Sequence, residues 1–409
     1  RACFVCTNFT LTGGGTINLD GKGYQGSTSG SYVAGRGPGG SGSAPYGPAG
    51  AGHGGRGGLA ALFGGNGLQY GGASHGSVTD PSDPGSSPGM NQSTPAVHGG
   101  GVVRIEAADK FIVNGVISAN GQTGTGSRSG AAGGSVCVYC RTVEGSGVIR
   151  VNGGHAGLDY SDEGGGSGGR IAIHYDVMAQ AAVTPAPTVT FSACGGWNTL
   201  VTSAWGAAGG VPYETDQSVS WKWGVAEPGS IYLSGTNFFP TTSLPGGRIV
   251  IPGFTNWSVA SLTSASGLAI LPENLRLTVS GDITCSGPGG LGLSNSVMSV
   301  GGSVLLNTAS YGNSAFFGGP DAGYTINGDL ALSSGWLELC GSDAALTALR
   351  VGGNLTLNAG SALYTYSGMV STNTGAPDCG LLVAVTGDVS IANNAWIFPH
   401  SSRTNGGSA

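Results

Sequence analysis

The chain has 409 residues, of which 82 are Gly, 19 are Pro and 9% are charged, with a formal net charge of −6. Three lysines (Lys22, Lys110, Lys222) and no basic run argue against partners such as nucleic acid or an anionic membrane surface. Gly plus Pro near a quarter approaches the disordered range, but 39% hydrophobic residues, a mean hydropathy of +0.10 and the small charge favour folding.

No apolar run reaches the roughly 20 residues that cross a bilayer, so no transmembrane segment is expected. The chain starts at Arg1 without Met or a signal peptide, which reads as a mature or excised product. Eight cysteines in a loop-rich chain poor in Lys point to an oxidising, extracellular or cell-surface setting.

In chain order, the strand-like "ACFVCTNFTL" comes first. It is followed by "GTINLDG" at Gly15, a phrase that returns as "GVISANG" at Gly115 and "GVIRVNG" at Gly147. Each is two-residue alternation closed by Asn-Gly or Asp-Gly, a half-buried strand running into a tight turn. Asp20, Asn120 and Asn152 occupy one slot of the phrase, which predicts a stacked side-chain ladder inside a turn. "GGVVRIE" (Gly100), "GGSVCVY" (Gly133), "GGRIAIHY" (Gly168) and "GGRIVIPG" (Gly246) add a second recurring strand phrase. The glycine-rich tracts 27–100 and 121–134 lack apolar periodicity and read as packed excursions, polyproline-II-like in parts, whose backbones lie close enough to bond one another.

A Trp- and Pro-rich stretch, 177–228, interrupts the pattern. It carries Trp197, Trp205, Trp221 and Trp223, which suit either a small core of their own or stacking on sugar rings. Beyond it, "VSGDITC" (Val279), "VGGSVLL" (Val300), "INGDLAL" (Ile326), "VGGNLTL" (Val351) and "VTGDVSI" (Val385) share one template, with spacings of 21, 26, 25 and 34 residues. Periods of that size mean a stacked array. The absence of amphipathic helices disfavours leucine-rich repeats, and the spacing disfavours a propeller. The fold class expected is all-β: a parallel β-helix, or β-solenoid, with long glycine-rich loop excursions and a Trp-rich insertion. Its expected divisions are 1–176, 177–228 and 229–409.

The repeated "GGxVxI", "GxIxxNG" and "GDLxL" phrases resemble the right-handed parallel β-helices of secreted bacterial proteins, including autotransporter-like passengers and filamentous adhesins. The resemblance is architectural. It implies either a structural role or, as in polysaccharide lyases and polygalacturonases of the same architecture, work on glycans.

The candidate chemistry is sparse. Asp282, Asp329 and Asp388 share a slot with Ser303 and Asn354, which suits turn residues accepting backbone N–H bonds better than a catalytic acidic row. Asp159, Asp162 and Glu163 in "GLDYSDEGGG" form the densest acidic group, either a solvated loop or a weak candidate for calcium. The histidines (53, 75, 98, 155, 174, 400) show no metal-binding pair spacing. Cys3, Cys6, Cys137, Cys140, Cys194, Cys285, Cys340 and Cys379 read as inter-repeat disulfides of undetermined pairing or as buried thiols. Asn8, Asn91, Asn256 and Asn354 head glycosylation sequons.

Neither terminus offers a charged or helical cap, and joining Ala409 to Arg1 reads as continuous turn and strand. The expectation is therefore a non-enzymatic extracellular structural protein. It would stack head to tail on itself as a filament, or form a unit of a long repetitive surface protein. The rival readings are a polysaccharide lyase or hydrolase and a carbohydrate-binding adhesin with surface glycans as partners.

Overall fold

A computed structural model describes residues 1–28, 32–42, 48–61, 68–90, 96–126, 128–157, 163–198, 224–239, 242–308, 315–318, 322–341, 346–366 and 380–400. The protein is all-β with large parallel sheets, and its helix α1 (Val177–Ala181) is one turn and a half. It divides into two compact units. The first takes in the described residues of Arg1–Ala207, Trp221–Phe239 and Pro245–Pro252, the second those of Pro240–Leu244 and Gly253–Ala409.

In the first unit one parallel sheet runs Ala2–Leu11, Val102–Val113, Ser135–Tyr139, Arg170–His174, Ser230–Leu233, Gly247–Val250. The strands starting at Val102, Ser135, Arg170 and Gly247 are the "GGxVxI" phrases, and alternation puts Val103, Ile105, Val136, Val138, Ile171 and Ile173 fully inside. A second parallel sheet stacks Thr16–Asn18, Val116–Ser118, Val148–Arg150 and Thr190–Ser192, so Ile17, Ile117, Ile149 and Phe191 share one row. The three sister phrases recur because each forms the same strand and corner in successive repeats. Residues 177–198, expected within the insertion, supply α1 and the last strand of this sheet; 199–223 lie outside the described residues. Asp176 caps α1 by accepting from the N–H groups of Met178 and Ala179.

Between these strands the glycine tracts form a second kind of order. Gly164 and Ser167 donate to the carbonyls of Pro48 and Ala51, Gly165 and Gly168 to those of Gly224 and Glu227, and Gly166 and Gly169 to those of Gly154 and Val151. One segment thus meets three neighbours, each at every third residue. A β-strand, with a period of two, cannot do this; three residues per turn is the polyproline-II geometry. Such neighbours lie too close for side chains: a Cβ on Gly50 would fall 1.7 Å from the Gly165 carbonyl oxygen, and one on Gly71 1.8 Å from that of Gly57. The excursions therefore pack as an extended-backbone bundle held by main-chain hydrogen bonds, as the composition led us to expect.

Among the described residues the second unit carries six three-strand repeats. Its first sheet stacks Asn256–Val259, Arg276–Val279, Val297–Val300, Gly323–Ile326, Leu346–Val351 and Gly380–Val385, all parallel. Its second carries Leu262–Ser264, Ile283–Gly287, Val304–Thr308, the start of Leu330–Cys340, Leu355–Leu357 and Val389–Ile391. A third includes Leu268–Ile270, Gly290–Ser294, Ala315–Gly318, the end of Leu330–Cys340, Ser361–Tyr366 and Trp396–His400. Leu277, Val279, Val300, Leu306, Ile326, Leu332, Leu349 and Leu357 fill the space between them, all buried.

Candidate functional site

Two features stand out: the open ends of the repeat stacks and a charged face on the first unit. The ends follow from register. In the second unit Leu355, Leu357 and Leu363 are 2%, 0% and 2% exposed, while their partners one repeat on, Val389, Ile391 and Ile397, are 52%, 49% and 39% exposed. The first unit does the same at its first strand, where Phe4 is 41% exposed and its partner Ile105 is 0%. Rows that are core everywhere else thus reach solvent in the outermost strands. Each such strand also presents one unpaired edge among the described residues.

Polar ladders run beside these apolar rows. The Asp20 carboxylate accepts the Asn120 N–H at 2.6 Å, Asn120 Oδ1 accepts that of Asn152 at 2.8 Å, and Asn152 Oδ1 accepts that of Cys194 at 2.8 Å. In the second unit Asp282 accepts from Ser303 (2.7 Å), the Ser303 hydroxyl from Asp329 (3.1 Å), Asp329 from Asn354 (2.7 Å) and Asn354 from Asp388 (2.9 Å). The repeated Asp slot is a corner device. Every link runs from a side-chain acceptor in one repeat to the N–H of the next, so the ladders have a direction.

The charged face lies on the outward side of the first unit's main sheet. Arg104 binds Glu106 through Nε at 2.6 Å and Asp80 through Nη1 at 2.5 Å, with its guanidinium 4.6 Å from the Tyr139 ring centre. Tyr139 donates to Asp80 and stacks on His174 (4.2 Å, 2°), which leans on Tyr232. His174 Nε2 donates to the Thr79 carbonyl, so this row straps residues 79–80 onto the sheet. A shallow groove of about 670 Å³ opens beside it, lined by Val5, Arg104, Glu106, Tyr139, Arg141 and Asp176 among others. Arg104 holds the Asp80 carboxyl below its ordinary range, the state of a fixed anion and not of a general acid.

Deeper in the bundle sit His53 and His75, ring centres 4.6 Å apart, with the buried Arg170. Arg170 donates to the carbonyls of His75 and His53 and to the Ser230 hydroxyl. His53 Nδ1 donates to the Gly133 carbonyl at 2.7 Å. Burial, with the neighbouring His75 adding to it, pushes the His53 imidazole down to about 3, so it is neutral at ordinary pH.

The predicted site residues are scattered. Asp159 and Asp162 lie outside the described residues, and Glu163 is buried in the glycine bundle. Among the described residues no group of three or more His, Cys, Asp or Glu is placed to hold a metal. Trp197 is half-buried against His155, ring centres 3.9 Å apart; Trp205, Trp221 and Trp223 lie outside the described residues.

Of the two readings of the cysteines, the disulfide one is not seen, since no described cysteine is bonded to another, and the buried-thiol one describes Cys137 and Cys285. Cys137 and Cys285 are buried thiols that burial pushes up to about 12, Cys140 is raised likewise, Cys3 is exposed, and Cys379 lies outside the described residues. The physical reason is that no strand cysteine stands opposite another in adjacent strands: Cys3 and Cys137 both pair with Arg104, which separates them, and Cys6 pairs with Ala107. Among sequon residues, Asn8, Asn256 and Asn354 are exposed, and Asn91 lies outside the described residues. Sequence reasoning missed the Arg104–Tyr139–His174 row. Aligning the outward positions of "VVRIE", "SVCVY" and "RIAIH" brings it out, because Glu106, Tyr139 and His174 are register partners.

No known protein family, no curated protein and no solved structure matches this chain.

Proposed function

We propose that the protein is an extracellular structural β-solenoid that extends by stacking copies head to tail, as a filament or as one unit of a longer repetitive surface assembly. The observation that carries this reading is the exposure of continuous core rows at the outermost repeats: Phe4 at one edge, Val389, Ile391 and Ile397 at the other. An unpaired, apolar strand edge is a template for another strand, and soluble proteins normally blunt it with charge, Pro or a covering element. A further repeat laid on either edge restores the pairing and buries those side chains. Contacts between unlike ends make open filaments and not closed rings. The extracellular placement rests on composition.

Electron microscopy of concentrated purified protein tests the proposal. Filaments with a regular repeat are expected; a uniformly monodisperse monomer at every concentration overturns it. The groove beside Arg104 and Tyr139 favours a second reading, an adhesin or polysaccharide-active protein. Neutral oligosaccharide titrations followed by NMR decide for it if Tyr139 and Glu106 resonances shift saturably.

A further inference from the structure

We propose that residues 75–83 form an acid-released cover over the outward face of the first unit's main sheet, opened by proton uptake at the facing imidazoles of His53 and His75. The starting point is burial on a face that alternation should leave wet. In Ser135–Tyr139 and Arg170–His174 the core takes Val136, Val138, Ile171 and Ile173, so Ser135, Cys137, Arg170 and Ala172 point outward. Yet Ser135, Cys137 and Ala172 are 0% exposed and Arg170 is 6% exposed. Residues 75–83 lie across them.

What holds this cover down is polar and almost wholly made by side chains. At its start the His75 N–H donates to the His53 carbonyl, and Arg170 Nε donates to the His75 carbonyl. Farther along, His174 donates to the Thr79 carbonyl, Arg104 and Tyr139 hold the Asp80 carboxylate, and the Ser135 hydroxyl donates to the Asp83 carbonyl. Gly72 and Gly85, just outside, donate to the Gly50 and Gly100 carbonyls. Between Gly76 and Pro84 no main-chain hydrogen bond ties the segment to another among the described residues. A segment held this way opens at far lower cost than the strands beneath it.

The trigger sits at the His75 end. The two rings are 4.6 Å apart over Arg170, with Arg248 beyond, so each added proton joins existing positive charge. Asp83 is the carboxylate that faces them: a Cβ on Gly76 would lie 2.9 Å from Asp83 Oδ2 and 3.6 Å from His53 Nε2. That Nε2 is buried without a hydrogen-bond partner, so a proton placed on it has no acceptor in the closed state. Burial lowers His53 to about 3 and lowers His75 too, outweighing the Ala73 and Pro84 carbonyls and Asp83, which favour a charged His75. The closed state is therefore fully favoured above about pH 6.5, and opening gains as pH falls below it. At the far end Arg104 is shared by Asp80 and Glu106, and Arg104 keeps Asp80 ionised well into acid. His174 donates from Nε2 whether or not it carries a second proton. Between pH 7.5 and 5.5 the His53–His75 end is thus the one that changes.

Cys137 reports the opening, because its thiol lies under the cover, 3.6 Å from Asp80 Oδ1. The full chain is labelled with a dithiodipyridine reagent at pH 7.5 and 5.5, and peptide mass mapping gives the rate at each cysteine. Exposed Cys3 supplies the reagent's own pH dependence. The Cys137-to-Cys3 rate ratio is expected to rise at least about tenfold at the lower pH, the effect of one imidazole kept neutral only when closed. His75→Gln is expected to lessen the rise, and His53→Gln with His75→Gln to abolish it. Asp80→Asn loosens the other end and is expected to speed labelling by the same factor at both pH values. Hydrogen exchange is expected to show the amides of 170–174 still protected at pH 5.5. A ratio that does not change with pH overturns the proposal, as does a rise that His75→Gln leaves intact. Loss of protection in 170–174 together with Cys137 labelling also overturns it, because the unit would then be melting and not uncovering one face.

Discussion

The two units solve the same problem, bringing many extended segments side by side, by opposite means. The second unit excludes water with side chains: its strands alternate, and Leu, Ile and Val fill the space between three sheets. In its bundle the first unit excludes water with backbone alone, packing extended segments so closely that a methyl group has nowhere to go. The first arrangement draws on burial of apolar area, about 25 cal/mol per Å². The second draws on main-chain hydrogen bonds, each worth only about 1 kcal/mol net, and must also overcome the large conformational entropy of glycine. A bundle of that kind is tolerant of composition and intolerant of any added atom.

The sharpest way to break the comparison is therefore a glycine scan. Gly50→Ala places a carbon 1.7 Å from a carbonyl oxygen held on all sides by backbone. It is expected to cost at least about 4 kcal/mol, with loss of amide protection across the bundle by hydrogen exchange. Gly323→Ala in the second unit meets nothing within 4 Å and is expected to change stability by less than about 0.5 kcal/mol. Equal effects at the two positions would mean that the bundle is not close-packed.

The mirror experiment is a cavity in the second unit. Leu357 is fully buried, and Leu357→Ala is expected to lower stability by about 3 kcal/mol in chemical denaturation. Ile391→Ala removes its register partner from an open edge, and about 1 kcal/mol or less is expected for the monomer.

These contrasts also show what the sequence made legible. The apolar repeats of the second unit announce themselves: "GDLAL" and its relatives are alternation plus a turn, and period two reads directly as a strand. The Asn slot of "GVISANG" and "GVIRVNG" likewise identified a ladder that the structure contains. The pairing of excursions in the bundle was not legible, because a glycine has no side chain to mark which neighbour it faces. Gly165 and Gly166 look alike in sequence and bond to different segments. The charged row was missed for another reason: Arg104, Tyr139 and His174 become neighbours only once strands more than 30 residues apart are set in register. The cysteine count left disulfides and buried thiols both open, because a count does not say which cysteines face each other; register separates Cys3 from Cys137 by Arg104.

A third difference is sensitivity to acid. His53 is buried neutral in the first unit, its folded value pushed down to about 3 against an unfolded value near 6.5. Burial also lowers His75, His98 and His155. Between the two His53 values the unfolded chain binds a proton that the folded chain does not. Stability is therefore fully present above about pH 6.5 and falls as pH drops toward 3. At pH 5 the His53 share of that loss is about 2 kcal/mol. Thermal melts at pH 7.5 and 5, with hydrogen exchange to locate the loss, are expected to place it in the first unit. His53→Gln is expected to flatten the dependence.

The smallest expected effect tests whether a polar ladder holds repeats together or only decorates a corner. Asn152 Oδ1 accepts both the Cys194 N–H and the Ser192 hydroxyl, so Asn152→Ala strands a part-buried donor between two repeats. A cost of about 1 kcal/mol is expected, because the partner left behind has lost its water as well as its acceptor. Asn152→Asp keeps the oxygen, as Asp20 does at the equivalent corner, and should be close to neutral. The pair matters because the same geometry runs through both units, beside glycine backbone in one and leucine rows in the other. If Asn152→Ala costs nothing, register is set by the apolar rows alone, and the directional ladder loses its claim to guide one repeat onto the next.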